Sequence, residues 1–329
     1  MDRGVALSQP PARVAITGLR TFVGRRLAER LVRAESALDV IGIDRHRPQG
    51  LDPKVDFREL DLTRPEAPSQ LAELLVEEEI GTFVHMAFRR RPHSDLEADH
   101  ELDVIGSLHV LGACAAAGVR KLVLPSTTMV YGARPDHPNF LSEDHPLRGH
   151  PDAHAVQNRI EVEQMVAQWS REHPDVAVTV LRLCWMVGPH YRDPVTEYLG
   201  RPLVPVLLGY DPLIQLLHEE DALFVFETAV LEEHPGIYNV VAPGVLPLSR
   251  LLRAAGARPL PLPAGLLSRL RSVPSQTRTG DRPEGFTDYL RYPWVADGAR
   301  CWATFGPPVY DTREAWMSFV TARRMRRFA

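Results

Sequence analysis

The 329-residue chain is short of several things, and each shortage excludes a class of protein. Cysteine is scarce: only Cys114, Cys184 and Cys301 occur, far apart and odd in number. That spacing argues against a disulfide framework and for reduced core thiols, hence a cytoplasmic protein. Neither a CxxC nor an HExxH spacing is present, so no metal is expected. No apolar run reaches the ~18 residues of a membrane span. The N-terminal MDRGVALSQPPA has no apolar stretch of the signal-peptide kind and reads as a loose arm over 1–12. Charge of one sign is not in excess. The formal net charge is −4 and the pI about 6.4, so nucleic acid is not an expected partner.

What is present is a large core: 44% of residues are hydrophobic, enough for one big unit or a domain with a smaller companion. The 29 prolines fall mostly from Pro125 onward, which predicts a loop-rich second half. The organising stretch is RVAITGLRTFVGRRLAERL, Arg13 to Leu31. Val14 to Thr17 is a short apolar strand, Gly18 a turn, and Val23, Leu27 and Leu31 one face of a helix. A helix N-terminus presents unpaired backbone N–H groups and the positive end of a dipole, a natural seat for pyrophosphate. Glycines allow the tight turn and the close approach of phosphate to backbone. Gly18 and Gly24 are in place, while Thr21 holds the position of a third glycine.

Asp39 to Ile43 is a second strand ended by Asp44, twenty residues past Gly24. A carboxylate at that separation meets the adenosine ribose and repels a 2′-phosphate, which favours NAD over NADP. Arg45 and Arg47 follow closely and offer a 2′-phosphate partner, so NADP is the weaker alternative. Further strands are expected at Val55 to Leu60, Thr82 to Met86 and Lys121 to Leu124. A helix is expected around Leu71, Leu74 and Leu75. A long one should run from Asp95 to Gly118 with Leu102, Ile105, Leu108 and Leu111 as its core stripe. This alternation predicts an α/β fold with a doubly wound, Rossmann-like parallel sheet. Arg89, Arg90 and Arg91 follow the fourth strand. They are either a clamp for substrate phosphate or carboxylate, or a solvated charge run.

At PSTTMVYG, Pro125 to Gly132, the chain resembles the extended short-chain dehydrogenase/reductases, the NAD-dependent epimerase/dehydratase family. TGLRTFVG, Asp44, Asp61-Leu62, VHMA and HEEDAL fall in the family's order, and the likeness spans about Arg13 to Ala242. The resemblance implies a division into a dinucleotide-binding domain, 13–184, and a substrate-binding and lid region, 185–329, that returns a strand and helices to the first. It implies that Gly18, Arg20, Thr21, Phe22, Val23 and Gly24 form the phosphate loop. Asp44 and Arg45 lie at the ribose, Asp61 and Leu62 beside the adenine, and Met86, Ala87 and Phe88 along the pyrophosphate and ribose. Thr127 resembles the catalytic Ser/Thr, and Asp103 stands where the family usually has asparagine.

The family's Tyr-x-x-x-Lys relay is missing. The matching helix, Asp152 to Gln168, holds no tyrosine and no lysine. One register places Ala155 and Arg159 at the two positions; a slip of one places His154 and Asn158 there. Histidine can move a proton near neutral pH, so His154 is a candidate acid/base, the alternative being a plain surface histidine. Arg159 supplies charge for a ribose without titrating. Tyr131 is a nearby phenol that family geometry puts below the site. After the strand Val176 to Cys184, Trp185, His190, Tyr191 and Arg192 are expected with Arg89 at the substrate. HEEDAL, His218 to Leu223, should mainly position the second region.

Two functions follow as expectations. One is an NAD(P)-dependent oxidoreductase or epimerase acting on a carbonyl or hydroxyl of a small or nucleotide-linked substrate. The other is a catalytically degenerate dinucleotide-binding protein with a regulatory or scaffolding role. A homodimer through the faces of the two helices Asp95 to Gly118 and Asp152 to Gln168 is also expected.

Overall fold

A computed structural model describes residues 13–34, 38–89, 95–270 and 286–326. The first strand, β1 (Arg13–Thr17), is fully buried from Val14 to Thr17. It turns at Gly18 into α1 (Phe22–Leu31), which buries Leu27 and Leu31 against the sheet. Then come β2 (Asp39–Asp44), β3 (Asp56–Glu59), α2 (Ala67–Glu77) and β4 (Thr82–His85). The next helix is continuous but not regular. α3 (Leu96–His100) passes through a π-helical turn, Glu101–Ile105, into α4 (Gly106–Ala117), which ends on Gly118 at φ 67°. Next are β5 (Lys121–Thr127), a 3₁₀ turn (Thr128–Tyr131), α5 (His154–Glu172) and β6 (Ala177–Leu183).

The second half supplies β7 (Trp185–Val187), α6 (Pro194–Leu199), β8 (Leu203–Leu207), β9 (Leu213–Ile214) and β10 (Leu216–His218). α7 (Glu219–Leu231) leads to β11 (Gly236–Val240), β12 (Leu246–Pro247) and α8 (Leu248–Ala255). β13 (Arg258–Leu262), α9 (Ala264–Leu270), α10 (Phe286–Tyr289), α11 (Ala299–Phe305) and α12 (Thr312–Met325) complete the described chain. The central sheet has the order β11-β6-β5-β4-β1-β2-β3, every pair parallel. This is the doubly wound α/β sheet expected from the alternation. Its sequence order reverses between β1 and β4, and that is where such a sheet opens a ligand crevice. Short strand pairs β10·β7, β12·β9 and β13·β8 build the smaller region. Among the described residues no helix is long and apolar enough to cross a membrane. Cys114, Cys184 and Cys301 are buried free thiols.

Three local expectations change. The extra residue of the π turn shifts the phase of the long helix. Val104, Val110, Leu111 and Cys114 face the core, while Leu108, expected in the stripe, is 50% exposed. The fifth strand runs past Leu124 to Thr127 because Pro125 pairs in register with Leu181, and the ladder continues to Thr127 opposite Leu183. The segment Leu260 to Ser275, open between packed core and a hydrophobic lid or membrane-surface helix, begins in the strand β13, where Pro259 and Pro261 are tolerated because the strand pairs on one side with β8 alone. Its last part, 271–275, lies outside the described residues.

Candidate dinucleotide site

The phosphate loop is shaped by what cannot fit. Gly18 sits at φ 71°, and a Cβ there would overlap the carbonyl of Met86 and the nitrogen of Ala87. The β1 and β4 ends therefore touch, and only glycine can stand between them. Thr21 does not leave the gap a glycine would. It is the N-cap of α1: its hydroxyl accepts the Gly24 amide at 3.1 Å and donates to the Gly18 carbonyl at 2.8 Å. A buried histidine fixes the floor. His85 Nδ1 lies 2.9 Å from Thr17 Oγ1, and His85 Nε2 lies 3.0 Å from Ser107 Oγ, tying β1, β4 and α4 together. Burial, reinforced by Arg159, pushes its pKa down to about 3, so the ring is neutral. His85 was not singled out from the sequence; a histidine ending the buried strand TFVH was its only signal.

Asp44 closes the loop from the other side. One carboxylate oxygen accepts the Arg20 amide at 3.0 Å and the other the Arg45 amide at 2.8 Å. The Arg45 side chain reaches Asp61 at 3.3 Å. Burial opposes the charge on Asp61, but the Thr63 hydroxyl and amide, with Arg45 and Arg64, prevail and hold its pKa below the usual value. An open cleft of about 250 Å³ lies over these groups. Its walls are Gly18, Arg20, Thr21, Ile43, Asp44, Arg45, Leu60, Leu62, Ala87, Phe88, Arg89 and Leu102. The structure thus brings most of the expected cofactor residues to one place. Phe22 and Val23 open α1 beside it, and Met86 is buried beneath it.

The expected catalytic residues are not part of that wall. Thr127 ends β5, its hydroxyl oxygen accepting the Met129 amide at 3.2 Å. His154 is the first residue of α5 and is exposed. One turn on, Arg159 lies over Phe88, its guanidinium carbon 3.3 Å from the ring centroid. Burial lowers its pKa to about 10, against the pull of Asp103 and Glu163, so it stays charged at neutral pH. Asp103, in the π turn, accepts the Arg89 amide at 2.8 Å and a hydrogen bond from Asn158. Burial raises its pKa. Arg89 spends its side chain on Asp99 at 3.1 Å, at the edge of the cleft. Arg90 and Arg91 lie outside the described residues.

The expected substrate residues of the second half are held mostly by their own surroundings. Trp185 is in the core, edge-on to Trp294 at 5.0 Å. His190 Nδ1 lies 2.7 Å from Glu219, a buried carboxylate that also accepts the His190 and Tyr191 amides. Tyr191 packs edge-on against Phe22 at 5.4 Å, which docks this loop on the phosphate loop. Arg192 donates to the Pro189 carbonyl at 2.8 Å. HEEDAL is a joint: His218 caps α7, reaches Ser318 and stacks on Tyr310, while Asp221 accepts the Val309 and Tyr310 amides.

Under Thr127 lies a buried network that sequence reasoning saw only in part. Arg182 grips Glu163, closest approach 2.6 Å, and donates to the Tyr131 hydroxyl at 2.8 Å. Tyr131 donates on to Asn239 at 2.6 Å, and Ser126 donates to Glu163. This joins β5, α5, β6 and β11. Burial raises the Tyr131 pKa to about 12, so the phenol is a strut and not a proton source.

The parallel sheet, the Gly18 turn and the acid ending β2 together define a nucleotide-binding α/β protein. The chain belongs to the NAD dependent epimerase/dehydratase family, which it matches over residues 14–240. An uncharacterised protein of Mycobacterium tuberculosis (strain ATCC 25618 / H37Rv) is 33% identical over 323 residues, covering 96% of this chain and 85% of that protein. The fold is also similar to that of a Thermus thermophilus UDP-glucose 4-epimerase in complex with NAD. There the TM-score is 0.73 at 20% identity, over 95% of this chain and 99% of that one. A Thermotoga maritima UDP-glucose 4-epimerase with UDP-glucose gives a TM-score of 0.73 at 16% identity, over 95% and 99%.

Proposed function

We propose that the chain binds NAD in the cleft and acts as an oxidoreductase or epimerase on a carbonyl or hydroxyl of a small or nucleotide-linked substrate. The observation that carries this reading is the seat of Gly18 against Met86 and Ala87, with Asp44 across the loop. The residues present fit the adenosine half of the cofactor. The loop from Gly18 to Gly24 would hold the pyrophosphate, Asp44 the ribose, and Asp61 and Leu62 the adenine edge. Asp44 favours NAD over NADP, because a carboxylate repels a 2′-phosphate. Bound NAD supplies hydride chemistry. Thr127 would donate its hydroxyl to the substrate oxygen, and His154 or a water would move the proton. Family membership supports this reading, as do neighbours of the same fold holding NAD and UDP-glucose.

A second reading, a dinucleotide-binding protein without turnover, is favoured by one observation. Neither register of α5, Ala155 with Arg159 or His154 with Asn158, restores the phenol and amine pair of the family's relay. An assay of NADH and NAD⁺ turnover against UDP-glucose and a panel of ketones separates the two. Hydride transfer supports the enzyme; tight cofactor binding with no transfer to any of them supports the second reading. We also propose a homodimer through α3–α4 and α5, where Leu96 and Leu108 are exposed. Light scattering showing a 36.9 kDa particle would contradict the dimer.

A further inference from the structure

The crevice of a doubly wound sheet has two sides. A dinucleotide crosses from one to the other at the switch point, one mononucleotide half on each. In this sheet the switch lies between β1 and β4, with β2 and β3 on one side and β5, β6 and β11 on the other. Among the described residues, the walls of this cleft come from the first side and from the chain that follows β4. Among the described residues its wall reaches Phe88 and Arg89, after the end of β4, and takes none from β5, α5 or β6.

What stands at that border is a packed pair. Phe88 is 5% exposed, and the His85 ring lies 4.6 Å from its own. The Arg159 guanidinium lies on the Phe88 ring at 3.3 Å, drawn in by the carboxylates of Asp103 and Glu163, and donates to the Pro125 carbonyl at 3.5 Å. A desolvated guanidinium over an aromatic face is a favourable and ordered contact. Asp103 is itself held by the Arg89 amide and Asn158, so the group that attracts Arg159 does not drift. Arg159 comes from α5 and Phe88 from the chain after β4, so the pair bridges the mouth between the two sides.

We propose that the Phe88–Arg159 stack closes the nicotinamide side of the crevice. The site then recognises the adenosine diphosphate half of its ligand and admits the nicotinamide half only when the stack opens. This rests on the reading of the cleft as a nucleotide site and adds which part of the nucleotide carries the affinity. A ligand that needs a minority conformation binds more weakly by the fraction of protein in that conformation. ADP, which ends at the diphosphate, escapes that penalty; NAD⁺ does not.

The test is titration calorimetry of the full chain with ADP and with NAD⁺, reading the ratio of the two affinities. Phe88→Ala removes the ring, and Arg159→Lys keeps the charge but not the planar guanidinium. Arg159→Lys also leaves the Phe88 packing in place, which keeps the test open should Phe88→Ala fail to fold. In either folded variant the ratio should move toward NAD⁺ by about fivefold or more relative to the unaltered chain. A smaller movement overturns the closure while leaving the nucleotide site standing. If the unaltered chain takes up neither compound, the nucleotide site itself is wrong, and the closure falls with it.

Discussion

The hydroxyl of Thr21 accepts the amide of Gly24 at 3.1 Å, so the residue standing where a glycine is expected is the cap of the helix behind it. Losing that cap in Thr21→Ala should cost about 1 kcal/mol of stability, and Thr21→Gly a few tenths, read by urea unfolding. Thr21→Gly also frees the Gly24 N–H to face a phosphate. Its nucleotide affinity should equal or exceed that of the unaltered chain, measured by calorimetry. A large loss of affinity in Thr21→Gly would show that the hydroxyl itself is needed.

Two glycines with nearly the same positive φ separate conformation from crowding. Gly18 and Gly244 have φ near 71° and 76°, but a Cβ at Gly244 meets nothing within 4 Å. Gly244→Ala should therefore lose only the left-handed penalty, about 1–2 kcal/mol. Gly18→Ala should lose more than that and abolish nucleotide uptake, because the Met86 carbonyl and the Ala87 nitrogen are backbone and cannot step aside. Equal losses in the two variants, by denaturant midpoint, would contradict this account of the loop.

His85 makes stability depend on pH. Its folded pKa, about 3, is below the unfolded value of 6.5, so between these two the unfolded chain binds more protons. Stability is full above pH 6.5 and falls as the pH drops toward 3. At pH 5 the loss relative to pH 7 from this group should be about 2 kcal/mol. His85→Asn should remove that part of the dependence, checked by urea midpoints at the two pH values. A variant with the same acid slope as the unaltered chain would clear His85 of the role.

The Arg182–Glu163 pair is buried on both sides, with 3% and 4% of the side chains exposed. Removing one partner strands a charge. Arg182→Met should cost about 3–5 kcal/mol and loosen the end of β5 that carries Thr127. Replacing both partners by apolar residues of similar volume should cost much less. Unfolding curves for the single and double variants decide this; a double variant no better than the single would place the cost elsewhere.

The sheet and the phosphate loop were legible because period and spacing are local signals. Val14 to Thr17, Gly18, Gly24 and Asp44 lie within one strand-helix-strand stretch, and each has a chemical reason for its place. The failures have local causes too. A π turn at Glu101–Ile105 shifted the stripe of the long helix and turned Leu108 outward. Pairing across the sheet carried β5 through Pro125, which chain-local reading takes for a stop. At the site, long-range geometry decided what spacing could not. Neither His85 joined to Ser107 nor Arg159 laid on Phe88 has any signature along the chain, since their partners are 22 and 71 positions away. Glu219 likewise is an ordinary helix-start acid in sequence and a buried clamp for His190 and Tyr191 in space.

Titration calorimetry of NAD⁺ into the folded chain tests the central claim most directly. The account predicts saturable uptake of one NAD⁺ per chain, lost in Gly18→Ala, with NADP⁺ weaker because Asp44 meets its 2′-phosphate. A folded protein that takes up neither coenzyme would contradict it.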